Sequence, residues 1–86
     1  MYKLKFLGKA LEDLEKINTA QQKIIKKKLL ILAKNPKVLK NNIKKLSGTK
    51  ENFYRLRVGS YRVIFKKEKE QLLILIIRIG HRLQLV

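Results

Sequence analysis

Arginine and histidine carry most of the chemistry this chain can offer. Its five arginines, Arg55, Arg57, Arg62, Arg78 and Arg82, all fall in the last third of the 86 residues, and its one histidine, His81, adjoins the last of them. A guanidinium presents paired N–H groups to phosphate oxygens, and a cluster of them stabilises charge building on a phosphoryl group in a transition state. With a pKa above about 12, arginine is a poor proton acceptor. Imidazole is well matched to proton transfer near neutral pH, so His81 is the leading general base, its alternative role being a turn residue that hydrogen-bonds the backbone. Glu51, in a loop, is a weaker candidate.

These side chains need strands to align them. Alternation over 53–58 places Phe53, Arg55 and Arg57 on one face and Tyr54, Leu56 and Val58 on the other. A second strand over 61–67 follows Gly59-Ser60, a spacing that suits a tight antiparallel hairpin. Residues 72–79 are apolar on both faces, as in a central strand; Gly80 then breaks the run and 83–86 form a short last strand or tail. Upstream, Tyr2, Leu4 and Phe6 alternate with lysines and predict a strand over 2–6. Helical spacing follows over 8–17, through Ala10, Leu11, Leu14 and Ile17. A second helix runs from Asn18-Thr19 to Asn35-Pro36, with Ile24, Ile25, Leu29, Leu32 and Ala33 as its inner stripe. Residues 37–52 read as a long irregular connection.

The order β-α-α-β-β-β, with an optional last strand, predicts an α+β fold in which an antiparallel helical hairpin covers one face of a sheet. The arginine face is then the uncovered one. Tyr2, Phe6, Phe53, Tyr54 and Phe65 occupy apolar alternation positions and are assigned to the core, whereas Tyr61 is ambiguous.

Composition narrows the function further. A formal charge of +16, from 22 basic and 6 acidic residues, favours a phosphate backbone or an acidic protein as partner. Without cysteine there is neither a disulfide nor a thiolate metal site, which suits a reducing cytoplasm. The longest apolar run, Leu72 to Ile77, is far short of the roughly 20 residues that span a bilayer. The expectation is one cytoplasmic domain over 1–86, with no membrane association.

The string Tyr54-Arg55-Leu56-Arg57-Val58-Gly59-Ser60-Tyr61-Arg62-Val63-Ile64-Phe65, preceded by Lys45-Leu46-Ser47-Gly48 and followed by Ile79-Gly80-His81-Arg82, resembles the RelE/ParE superfamily of bacterial and archaeal toxins. Ala10, Asp13 and Leu14 in the first helix and Asn35-Pro36 after the second match as well, so the resemblance spans the chain. It implies the RelE branch: toxins of type II toxin–antitoxin modules that enter the ribosomal A site and cut mRNA without metal or cofactor. There a ribose 2′-OH attacks the adjacent phosphate, leaving a 2′,3′-cyclic phosphate and a 5′-OH. Carried onto this chain, Arg55, Arg57, Arg62 and Arg82 stand at the family's basic positions; with His81 from the proton-transfer argument, the expected catalytic set is Arg57, Arg62, Arg82 and His81, and Arg55, Lys45, Lys50 and Tyr61 are expected to hold RNA. The implied partners are an antitoxin with an acidic or amphipathic segment, the ribosome with its mRNA, and operator DNA only as the toxin–antitoxin complex. Many members carry a tyrosine four residues after the arginine equivalent to Arg82, where this chain has Val86. That departure keeps open a catalytically weakened relic that binds nucleic acid or antitoxin, and the fold shared by the two branches leaves a ParE-like toxin that inhibits gyrase as the other alternative.

Overall fold

The computed structural model describes residues 1–46 and 52–81. The chain runs through β1 (Lys3–Phe6), α1 (Gly8–Glu15), α2 (Thr19–Lys34), a 3-10 segment (Pro36–Asn42), β2 (Ile43–Lys45), β3 (Phe53–Val58), β4 (Tyr61–Glu68) and β5 (Leu73–His81). The strands form one sheet in the order β1-β5-β4-β3-β2, antiparallel except where β1 runs parallel to β5. This is the α+β arrangement expected, with a mixed sheet in place of a purely antiparallel one.

Local chemistry sets the boundaries. The Asn18 side chain accepts a hydrogen bond from the Gln21 N–H at 2.9 Å, which satisfies one of the orphan donors at the start of α2. Pro36 lacks an N–H and ends that helix. Val58 pairs with Tyr61, so the β3–β4 loop is the two residues Gly59 and Ser60. Gly59 has φ +58°, the positive value that a tight hairpin demands at its first central position.

The core lies between the helices and one face of the sheet. Ala10, Leu14, Ile25, Leu29 and Leu32 pack against Leu56, Val58, Val63, Phe65, Ile74, Ile76 and Ile79, all buried. A register shift positions the strand side of that core: Ile64 faces Arg78 but Phe65 faces Ile76, leaving Ile77 as an extra residue in β5. The bulge reverses the phase of β5, so Ile74 and Ile76 before it and Ile79 after it all face the helices.

Several sequence expectations are corrected. The stretch 37–52 is not wholly irregular, since Ile43–Lys45 pairs with β3; three residues are too few to show a period. Gly80 lies within β5, opposite Arg62, and does not end the strand. Ile24 is 46% exposed and falls outside the inner stripe of α2. Phe53, expected in the core, shares the open face with Arg55 and Arg57, whereas Tyr54 packs inward and stacks on Phe65 at 5.4 Å. The expected strand over 83–86 lies outside the described residues.

Candidate phosphate-binding site

The face of the sheet away from the helices carries the basic cluster. On β3, burial of Leu56 and Val58 turns Arg55 and Arg57 the other way. Cross-strand pairing adds Arg62 opposite Arg57, and Lys44 of β2 opposite Arg55. The result is two cationic rungs, Arg57–Arg62 and Lys44–Arg55, separated by two residues of strand, about 7 Å. Together they line a depression of about 220 Å³, completed by Asn41, Asn42 and Ile43 at the start of β2. Among the described residues, no carboxylate lines it.

Arg62 is oriented by the hairpin. Its Nη1 donates to the carbonyls of Gly59 and Tyr61, each at 2.9 Å. The tight turn therefore holds one guanidinium at the rim of the depression.

Arg78 has a different task. Its Nε and Nη2 donate to the two carboxylate oxygens of Asp13 on α1, at 2.7 and 3.2 Å. The same carboxylate accepts the Ile79 backbone N–H at 3.0 Å. Because β1 stops pairing at Phe6, opposite Ile76, no strand among the described residues flanks the rest of β5 on that side, and Asp13 accepts the Ile79 N–H there instead. Burial alone would push the Asp13 pKa up, but the hydrogen bonds from Arg78 and Ile79, with the charges of Arg78 and Lys16, outweigh it and hold the carboxyl below its usual value.

His81 and Tyr61 do not join the arginines. They form a cross-strand pair on the helix-covered side, in phase with Val58, Val63 and Ile79. Their rings meet edge to face at 5.9 Å, beside a separate hollow of about 250 Å³ that Asp13, Lys16 and Ile17 also line. Lys45 pairs with Tyr54 and so takes the opposite side of β2 from Lys44. Of the sequence-derived site residues, the sheet thus gathers Arg55, Arg57 and Arg62 and sets Tyr61, His81 and Lys45 apart. Arg82, Lys50 and Glu51 lie outside the described residues. Lys44, Asn41 and Asn42 had escaped the sequence reading, because no periodicity marks a three-residue edge strand. Among the described residues, no group of histidine, aspartate and glutamate is arranged to hold a metal ion, and no helix is long and apolar enough to cross a membrane.

A family model described as the ParE toxin of the type II toxin–antitoxin system parDE matches residues 4–86. The chain belongs to that toxin family. Solved structures of similar fold place this toxin within the wider RelE/ParE superfamily. The archaeal RelE–RelB complex from Pyrococcus horikoshii aligns with TM-score 0.81 and 26% identity over 94% of each chain. RelE in the intact E. coli RelBE complex aligns with TM-score 0.73 and 27% identity, covering 94% of this chain and 96% of that one. The Methanococcus jannaschii RelB–RelE complex gives TM-score 0.75 and 26% identity, over 94% and 93%. The search of curated proteins finds no match. The toxin thus takes its family from a ParE model and its structural neighbours from RelE.

Proposed function

We propose that this toxin is a metal-independent endoribonuclease that cuts mRNA on the ribosome. The observation that carries the reading is the depression on the open sheet face, lined by no carboxylate among the described residues, where Arg55, Arg57, Arg62 and Lys44 converge. Its rungs are spaced to take neighbouring phosphates of an extended strand. Arg57 and Arg62 grip the scissile phosphate, while Arg55 and Lys44 hold the next one and so fix its orientation.

In the reaction the ribose 2′ oxygen attacks phosphorus, the bond to the 5′ oxygen breaks, and a 2′,3′-cyclic phosphate and a 5′-hydroxyl result. The guanidiniums offset the extra negative charge of the pentacoordinate intermediate. They do not accept the 2′-OH proton. His81 lies on the other side of the sheet, so the proton acceptor comes from outside the depression, a ribosomal group being the first choice. Ribosome dependence follows from that division: the toxin supplies positive charge and the ribosome completes the acid–base pair. Arg82, outside the described residues, is assigned to the same chemistry on the superfamily pattern alone. The partner that restrains the toxin is an antitoxin with an acidic segment, in line with the RelB complexes of the structural neighbours. Operator DNA is bound only by that complex, in the cytoplasm.

A second reading is favoured by the ParE family model: inhibition of gyrase by protein binding, without chemistry. Mapping mRNA 5′ ends in a translating extract separates the two. Codon-phased cuts bearing 5′-hydroxyls support the nuclease, whereas DNA breaks with intact mRNA overturn it in favour of gyrase.

A further inference from the structure

The open face of the sheet continues past the depression. One rung beyond Lys44 and Arg55, Phe53 of β3 stands opposite Lys66 of β4, Lys66 opposite Leu75 of β5, and Leu75 opposite Lys5 of β1. Four strands thus contribute to a single row. Ile64, which faces Arg55, adjoins both Phe53 and Leu75 on the diagonal. Phe53, Ile64 and Leu75 are half-buried, yet none of them belongs to the core beneath the helices. The other five aromatic residues, Tyr2, Phe6, Tyr54, Tyr61 and Phe65, all lie in or against that core. Phe53 is therefore the one aromatic ring on the face that carries the arginines, two residues of strand from Arg55, about 7 Å.

An aromatic ring set beside guanidiniums suits a ligand that is anionic at one end and flat at the other. An unpaired nucleotide has that form: its phosphate meets the cations while its base stacks on the ring, a contact open to every base because each has a π face. Lys66 is ion-paired with Glu68 at 3.3 Å, so the phosphates are taken by Arg55 on one side and, at the far end of the row, by the exposed Lys5. We infer that Phe53 is a base-stacking platform of the RNA site, with Ile64 and Leu75 as its apolar surround. The nucleotide next to the two gripped phosphates lays its base on the ring, and the strand continues toward Lys5. The inference rests on the proposed reading of the depression as an RNA site but not on the cleavage chemistry, and it adds a contact to the base that guanidiniums on the backbone do not make.

The test compares binding of a short single-stranded RNA with that of inorganic polyphosphate, which offers phosphates without bases. Phe53→Ala should weaken RNA binding by about tenfold or more, leave the slope of log affinity against log salt unchanged, and bind polyphosphate as the wild type does. Phe53→Leu keeps apolar bulk without the ring and should weaken RNA binding in the same direction; circular dichroism confirms that both variants keep the fold. Phe53→Trp should retain RNA affinity, and because the chain has no other tryptophan, its fluorescence should be quenched by RNA and not by polyphosphate. RNA affinity of Phe53→Ala within about twofold of wild type would overturn the inference. An equal loss for both ligands would do the same, by marking the ring as structural. So would unchanged RNA affinity combined with escape from a co-expressed antitoxin, which would make the ring a protein contact. Arg57→Ala/Arg62→Ala should weaken both ligands; if it weakens neither, the reading of the depression fails while the Phe53 comparison still decides the platform.

Discussion

Arg57→Ala is expected to remove activity while leaving the protein slightly more stable. Arg57 is exposed on β3 and stands directly across from Arg62. Like charges in facing positions of an antiparallel pair oppose folding by about 0.2–1 kcal/mol, and Arg57's exposure puts its case at the lower end. For a chain of this size that corresponds to a melting temperature higher by about 1–2 °C. The gain should shrink as salt is added, since the Debye length falls from about 10 Å at 0.1 M to about 3 Å at 1 M. Activity should move much further in the other direction. A preorganised donor aimed at developing charge is worth about 10²–10³ in rate, so cleavage in a ribosome-dependent assay should fall by that factor and growth arrest should disappear. Calorimetric melts at two salt concentrations, run beside the cleavage assay, check both halves. A variant that melts about 5 °C lower would make Arg57 a structural residue. One that cleaves within about tenfold of wild type would take the rung out of the chemistry.

Lys44→Ala should reduce the slope of log affinity for single-stranded RNA against log salt by about 0.7, the loss of one phosphate contact; filter binding across a salt series measures it. His81→Gln should keep cleavage within about tenfold of wild type, because the imidazole faces away from the arginines, and a larger loss would return His81 to the reaction. Asp13→Ala strips the Ile79 N–H of its carboxylate partner and should cost about 1–3 kcal/mol in urea melts, with Asp13→Asn milder because the amide oxygen still accepts. The folded-state pKa of Asp13 is lowered, so its ionic contribution is present above the ordinary value near 3.8 and is lost as pH falls through the folded value. The gap between wild type and Asp13→Asn should therefore close below that pH. Leu72 is half exposed with φ +51°, a left-handed conformation that costs a branched residue about 1–2 kcal/mol. Leu72→Asn should recover about 1 kcal/mol of stability.

Period and punctuation made much of this fold legible in the primary structure. Leu56 and Val58 alternate with Arg55 and Arg57, and a strand has only two faces, so burying one pair exposes the other wherever the strand sits. Asn18, Pro36 and Gly59 act on their own backbone, and their effects are equally local. The arginine face and the hairpin that turns Arg62 toward it follow from such rules, together with the charge that calls for a polyanion.

Tertiary structure decided what depends on partners distant in the chain. Lys44 belongs to the site because β2 pairs with β3, a register that three residues cannot announce. His81 follows Gly80 and precedes Arg82 in sequence, yet the Ile77 bulge and the pairing with Tyr61 send it to the helix side. Asp13 and Arg78 are separated by 65 residues, and only the docking of α1 on the free half of β5 makes them an ion pair. Local propensity acts over a few residues, whereas sheet register and helix docking come from burying the whole core at once, and the choice of which cations meet is settled there.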